Sequence, residues 1–387
     1  MKEDVMSRDK GYDDLLSHMR TWRFNLPDSD DLLPMLRMRY SPEEARFLAQ
    51  FPHRPTTLET LTQHLSMPAE RLCDVMKPMI HEGLICEFNG KSGTRYALSD
   101  MVFSYYRMPG WRGRDDDWSR KLAALSNRYF TDHLGSDFRG YPTKGLRALP
   151  IDRTIADTRQ IMPYEDVVRI VDQQDFFCVT TCACRHRHNV DPDATSCKHE
   201  TNNCLHFGML AHYIVKHEMG RQITREEMFE TLKQAADEGL VHGISNAKTG
   251  ADTICNCCSC CCVFLEAINA PFPVRAGHQR SNYLLNINHT TCKACGLCAQ
   301  RCPMNALELK EKTPISTEPT DSGSKTKSKQ KTKEIAYEPD RCIGCGVCVH
   351  KCPTGSLVLV RREVEEDIPE TMAETGRRML LERGRDL

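Results

Sequence analysis

Two short runs near the C-terminus carry the strongest chemical signal in the chain. Cys292, Cys295, Cys298 and Cys302 are spaced C-x2-C-x2-C-x3-C ahead of Pro303, and Cys342, Cys345, Cys348 and Cys352 repeat that spacing ahead of Pro353. Three thiolates so close together can grip three irons of a cubane from one tight loop, and the fourth iron then needs a thiolate from elsewhere. Where two such runs occur, the fourth Cys of each ligates the other cluster. The spacing therefore predicts one 4Fe-4S cluster held by Cys292, Cys295, Cys298 and Cys352, and a second held by Cys342, Cys345, Cys348 and Cys302. Gly296 and Gly346 fall where the loop must wrap closely and turn backbone N–H groups towards inorganic sulfide, while Pro303 and Pro353 lead the chain out. Two zinc knuckles would need four-thiolate sites without the repeated third Cys and the Cys-Pro ending.

A second concentration of thiols lies upstream, at Cys178, Cys182, Cys184, Cys197, Cys204, Cys255, Cys257, Cys258, Cys260, Cys261 and Cys262. This crowding exceeds any packing demand and predicts a further iron-sulfur cluster, with zinc or a redox thiol array as the alternatives. Cys182, Cys184, Cys197 and Cys204 form one four-thiolate set by sequence. Cys255, Cys257, Cys258, Cys260, Cys261 and Cys262 are too close together for all to bind one metal. His186, His188, His199 and His206 could each replace a thiolate, though each taken singly reads as an exposed loop histidine. Cys73 and Cys86 read as ordinary small packing residues.

The positioning elements follow from capping and periodicity. Ser41-Pro42-Glu43-Glu44 is a capping box with Pro at the first helical position, Thr56 with Glu59 repeats the pattern, and a third helix should start at Pro68 and end near Gly83. Pro78 should bend or break that helix. Leu84–Asn89 and Thr94–Ser99 read as strands joined by Gly90-Lys91-Ser92-Gly93. Three helices followed by a two-stranded wing is a winged-helix layout. An amphipathic helix is expected around Trp118–His133, and another after Thr224, whose capping box with Glu227 precedes Met228, Leu232, Ala235 and Ala236 and whose stop is Gly239. Short β-like runs follow each C-terminal cysteine run. The intervening residues 310–334, rich in Lys, Ser, Thr and Pro, read as a flexible insertion.

At 387 residues the chain is long enough for two or three compact units. A formal net charge of -1 offers no general field for nucleic acid or anionic membrane. The first thirty residues lack the charged and apolar regions of a leader, and no eighteen-residue apolar stretch occurs, so a cytoplasmic protein is expected. In such a compartment 21 cysteines mean metal ligation and not disulfides, and the oxygen sensitivity of thiols and exposed clusters points to an anaerobic host. No GxGxxG sequence, P-loop or nucleophile elbow argues for a bound dinucleotide or for hydrolysis.

Taken with Cys182-Ala-Cys184-Arg185, Gly239-Leu240-Val241-His242 and the run Cys255–Cys262, the arrangement from about residue 41 to 360 resembles the 4Fe-4S dicluster ferredoxin-type proteins of anaerobes, which join a winged helix, a cysteine-rich middle module and a dicluster ferredoxin. The resemblance implies cluster binding and electron transfer, and supplies no substrate. The fold class expected is α+β: a winged-helix domain with a polar N-terminal extension (1–100), a connector (101–149), a mixed cysteine-rich middle domain (150–275), a bacterial dicluster ferredoxin-like domain (276–361) and a charged tail (362–387). The function expected is relay of low-potential electrons between partner redox proteins. The alternatives are an oxidoreductase with a catalytic cluster in the middle module and a redox-sensing winged-helix regulator. The partners expected are a redox protein and a second copy of the chain in a homodimer, with neither nucleic acid nor membrane insertion.

Overall fold

The computed structural model describes residues 2–90, 92–100, 102–157, 161–265, 277–311 and 333–385. Helical structure begins earlier than the sequence suggests. Lys2–Met19 is a helix, and Tyr12, Leu15 and Met19 on it are buried, so the residues read as a polar extension contribute an apolar stripe at helical spacing to the N-terminal core. This helix packs on Pro42–Leu48. The expected capping box starts Pro42–Leu48, with the Glu44 N–H donating to Ser41 Oγ (3.2 Å) and the Ser41 N–H to Glu44 Oε2 (2.8 Å).

β1 (Thr56–Thr57), β2 (Ile85–Gly90) and β3 (Gly93–Leu98) form an antiparallel sheet in the order β1-β3-β2. Thr56 and Thr57 pair with Tyr96 and Arg95 across the sheet, and the next helix, Leu58–His64, is capped one residue later than expected, by Thr57 accepting from the Thr60 N–H (3.3 Å). The third helix, Ala69–His81, runs straight through Pro78. The proline sits in the last turn, where it forfeits only one bond of the ladder, and its own carbonyl still accepts from the Glu82 N–H at 2.9 Å.

The middle of the chain is built on a seven-stranded sheet. Its strands are β4 (Leu146–Ala148), β5 (Phe177–Thr180), β6 (Cys204–Phe207), β7 (Arg221–Ile223), β8 (Val241–Ser245), β9 (Thr253–Cys257) and β10 (His278–Gln279), in the order β10-β4-β8-β9-β6-β5-β7. Only the β10–β4 pair is parallel among these pairings. β4 comes from the segment read as a connector, and β10 from the start of the segment read as ferredoxin.

Strand alternation explains how this sheet collects thiols. Phe177, Val179, Leu205, Phe207 and Ile254 face one apolar layer, together with Met228 and Leu232 of the helix Arg225–Glu238. The residues between them, Cys178 on β5, Cys204 and His206 on β6 and Cys255 and Cys257 on β9, are thereby turned to the opposite face. The Arg225–Glu238 helix carries the expected Thr224–Glu227 capping box and stops at Gly239, whose φ of 88° is left-handed.

β11 (Tyr283–Ile287) pairs antiparallel with β14 (Leu357–Arg361), and β12 (Leu307–Glu311) with β13 (Lys333–Tyr337), as two separate ribbons. Two short helices, Leu297–Arg301 and Val347–His350, follow the cysteine loops and pack together. The insertion expected at 310–334 lies outside the described residues from 312 to 332, and the ribbon that flanks it pairs as far as Glu311↔Lys333. The C-terminal residues read as a charged tail contain the helix Met372–Leu381, which buries Thr375, Gly376, Met379 and Leu380. Beyond it, Arg383 forms an ion pair with Asp137 (3.0 Å) in which both side chains are almost fully buried. Among the described residues, no helix is long and apolar enough to cross a membrane.

Candidate metal centres

Each C-terminal cysteine loop turns into its helix through a glycine in the left-handed region, Gly296 (φ 80°) and Gly346 (φ 79°), a conformation that most side chains resist. A cavity behind the second loop is lined by Cys302 of the first run and by Cys342, Cys345 and Cys348 of the second, with Leu285, Ala306, Leu307 and Tyr337 as apolar walls. Burial, reinforced by Cys342 and Cys302, pushes the Cys345 thiol up to about 12. Burial, with Cys345, Cys302 and Cys342 beside it, also holds the Cys348 thiol well above its usual value. Four thiols confined in an apolar space resist ionising together unless cations take up their charge, and an iron-sulfur cluster supplies those cations. Cys292, Cys298 and Cys352 lie in an apolar cluster with Leu285, Leu307, Ile335 and Leu357, against which Cys302, Cys342 and Cys348 also pack. Cys298 is pushed up to about 11 by burial, with Cys292 and the exposed Cys295 next to it.

In the middle module the thiols divide into two groups. Cys182, Cys184, Cys204, Cys255, Cys257 and Cys262 line one cavity, together with Tyr106, Arg107, Trp111 and Phe264, and Cys258 lines it too from the neighbouring group. Side-chain hydrogen-bonding contacts link them in a chain: Cys182 to Cys184, Cys184 to Cys262, Cys262 to Cys257, Cys257 to Cys255, and Cys255 to Cys204. Cys182 and Cys184 come from the N-terminal end of the helix Ala183–Val190. Cys204, Cys255 and Cys257 come from the adjacent strands β6 and β9, and Arg107 from the last turn of the π-helix Val102–Arg107. Arg107 Nη2 points at Cys255 Sγ (3.3 Å). The Tyr106 hydroxyl is hydrogen-bonded to the Cys184 thiol.

Cys197, Cys258, Cys260 and Cys261 form the other group. The structure thus separates Cys197 from Cys182, Cys184 and Cys204, with which the sequence grouped it, and divides the run 255–262 between two places. The reason is geometric. Cys255 and Cys257 share a strand face, and the chain leaves β9 after Cys257 and reverses in a tight turn, where the Cys262 N–H bonds Cys258 O at 3.2 Å. Cys178 is fully buried among apolar side chains, and burial raises it to about 12.

His206 corrects the reading of the histidines as loop residues. It is buried on β6, its ring nitrogens paired with Thr180 Oγ1 (3.2 Å) and Thr253 Oγ1 (3.1 Å). Burial, with Arg107 nearby, lowers it to about 3, so the ring is neutral. His186 bonds Arg114 O (2.7 Å), and His199 lies 3.3 Å from the Glu238 carboxylate. Cys86 is half-buried against Ser99 Oγ (3.0 Å), whereas Cys73 is exposed on its helix and is not the packing residue expected. Arg107 and Tyr106 escape sequence reasoning because nothing in a lone Tyr-Arg pair marks it as facing thiols packed from three other segments.

A family model described as the 4Fe-4S dicluster domain matches residues 291–356. A comparison with curated proteins finds no match. The family match spans both C-terminal cysteine runs, so this part of the chain is of dicluster ferredoxin type, and iron-sulfur binding and electron transfer are its chemistry.

Proposed function

We propose that the protein relays low-potential electrons, one at a time, between a donor oxidoreductase and a second protein acceptor, and that its own clusters are the path. The ligand sets proposed are Cys292, Cys295, Cys298 and Cys352 for one C-terminal cluster, and Cys342, Cys345, Cys348 and Cys302 for the other. A third iron-sulfur cluster belongs in the cavity of Cys182, Cys184, Cys204, Cys255, Cys257 and Cys262, where Arg107 offsets thiolate charge. Cubanes ligated wholly by cysteine leave no iron vacant for substrate, so their chemistry is conduction.

The observation that carries this reading is how the ferredoxin part is docked. Arg301, between Cys298 and Cys302, donates to Ala236 O (2.9 Å) and Asp237 O (3.2 Å) at the end of the helix Arg225–Glu238, and to Val347 O (3.3 Å) beside the second loop. The Asp237 carboxylate receives His350 Nε2 (2.8 Å) and Lys351 Nζ (2.6 Å). The other side of that helix end packs Ala235 on Cys258 and Cys261. One helix terminus therefore touches the ferredoxin loops and a middle-module thiol group together, which suits transfer within the chain.

The helix–strand–helix–helix–hairpin unit from Pro42 to Leu98 is proposed as a winged-helix element used for docking or dimerisation. The exposed face of its third helix carries Glu70, Arg71, Asp74 and Lys77, a balance of charge that does not favour phosphates. Its C-terminal end is already engaged, with Tyr213 Oη donating to Ile80 O (2.7 Å) and Arg112 paired with Glu82 (2.9 Å). The domain limits given above, with the middle module widened to take in β4 and β10, a cytoplasmic setting, an anaerobic host and a redox protein partner complete the proposal.

Stopped-flow mixing tests it. Anaerobic protein reduced with dithionite should pass electrons to an oxidised flavoprotein oxidoreductase, at a rate that depends on salt. The reading fails if no protein acceptor is reduced while the isolated chain turns over a small substrate many times.

A further inference from the structure

Four thiols of the middle module are spaced for one metal ion. The Sγ atoms of Cys197, Cys258, Cys260 and Cys261 all lie within 4.8 Å of one another. Cys197 is 3.8 Å from Cys258 and 3.6 Å from Cys260, and Cys260 is 3.6 Å from Cys261. A zinc–thiolate bond is about 2.3 Å long, and four sulfurs at the corners of a tetrahedron around such an ion are then about 3.8 Å apart. In a cubane each thiolate binds a different iron, so the sulfurs must stand farther apart than around a single ion. The thiols of Cys182, Cys184, Cys204, Cys255, Cys257 and Cys262 touch only in succession, and among the described residues it is the quartet whose ligand atoms all lie within 4.8 Å of one another.

The surroundings complete a site. The Cys197 N–H donates to Asn189 Oδ1 (2.8 Å), which fixes the loop that brings this thiol to the turn. Four thiolates around a divalent ion keep a net negative charge, and two buried guanidiniums stand behind them. Arg185, with no exposed surface, reaches Cys258 Sγ (3.9 Å), and Arg187 donates to Cys261 O (3.3 Å). Cys258 and Cys261 are buried under Ala235 and Leu240, whereas Cys260 is exposed, so the ion can enter from the solvent side.

We propose that Cys197, Cys258, Cys260 and Cys261 hold a single divalent ion, zinc or iron, in a tetrahedral four-thiolate site distinct from every iron-sulfur cluster of the chain. Bound there, the ion locks the turn that follows β9. It thereby holds Cys257 and Cys262, which flank that turn, in place for the adjoining cavity, and secures the floor under the Arg225–Glu238 helix end. This goes beyond the relay reading and does not depend on it.

The test uses the full chain purified anaerobically, with zinc, iron and acid-labile sulfide measured on the same samples, and with Cys260→Ser as the variant because its side chain is exposed. Cys73→Ser, also exposed, serves as the control. The variant should lose about one metal ion per chain with its sulfide content unchanged. If that ion is zinc, cobalt(II) substitution of the parent protein should give the absorption of a tetrahedral tetrathiolate centre. If it is iron, the parent should show a mononuclear ferric signal after mild oxidation. Loss of several irons with matching sulfide would identify a cluster instead, and retention of all metal would show that these thiols hold none. Either result overturns the proposal. The EPR signals of the reduced C-terminal clusters should persist in the variant, which separates failure of this site from failure of the relay.

Discussion

Replacing Arg107 with Gln should lower the reduction potential of the proposed middle-module cluster by about 100 mV. Arg107 Nη2 stands 3.3 Å from Cys255 Sγ. Burial alone would lower the pKa of this guanidinium, yet the nearby Cys255 and Cys204 thiols hold it above its ordinary range, so the charge is fixed. For a cluster bonded to Cys255, the added electron would be centred on the order of 7 Å from the guanidinium. At an effective dielectric constant of about 20 the attraction is about 2.4 kcal/mol, which converts to about 100 mV for one electron. Removing the cation removes that preference for the reduced state. Arg107→Lys keeps the charge and should shift the potential by less than about a third as much. An anaerobic redox titration followed by EPR measures all three cluster potentials in one sample. The C-terminal pair should stay where it is in both variants. Equal shifts in every cluster, or none in Gln and Lys alike, would refute the assignment of Arg107 to a cluster in this cavity.

Cys302→Ser should remove about four irons per chain and abolish the signal of the cluster assigned to Cys342, Cys345 and Cys348, while the cluster of Cys292, Cys295 and Cys298 survives. Iron analysis with EPR decides, and the reverse pattern would break the crossed ligation. At Gly110, a Cβ would meet Ala183 Cβ at 2.6 Å and Ala183 Cα at 2.8 Å. Gly110→Ala should therefore cost about 1–3 kcal/mol of stability and displace Cys182 and Cys184, seen as a lower melting temperature and partial loss of middle-module iron. Gly140→Ala, where the added methyl meets nothing within 4 Å, is the control. His53 is stacked on Trp22 at 5.0 Å, and burial lowers it from 6.5 to about 4. Since the folded state takes up the proton later than the unfolded one, the stability tied to this neutral ring is fully present above pH 6.5 and is lost as pH falls towards 4. The loss should reach about 1.2 kcal/mol at pH 5.5 relative to neutral pH, and denaturant titrations of the parent and His53→Gln, followed by tryptophan fluorescence, should show it only in the parent.

The capping boxes at Ser41–Glu44 and Thr224–Glu227 were readable because both partners sit three residues apart, and such local geometry needs no tertiary information. The two C-terminal runs were readable for the same reason, since most of what a dicluster loop needs is encoded in spacing inside a dozen residues, and the family match at 291–356 covers them. The N-terminal helix was missed because charged residues dilute its stripe, and it takes tertiary packing, chiefly on Pro42–Leu48, to give Tyr12 and Leu15 a place to be buried.

By itself, then, the sequence determined the presence of iron-sulfur chemistry, the mixed α+β character and the crowding of thiols between residues 178 and 262. Tertiary structure decided how those thiols are shared. Cys197 and Cys258 are separated by Asn203, Cys204 and all of the helix Arg225–Glu238 along the chain, yet their sulfurs lie 3.8 Å apart. Cys257 and Cys258 are neighbours in sequence and line the same cavity, yet Cys258 alone of the two also stands among Cys197, Cys260 and Cys261. A strand sends alternate side chains to opposite faces and a turn reverses that order, so adjacency along the chain carries little information about which metal a thiol can reach.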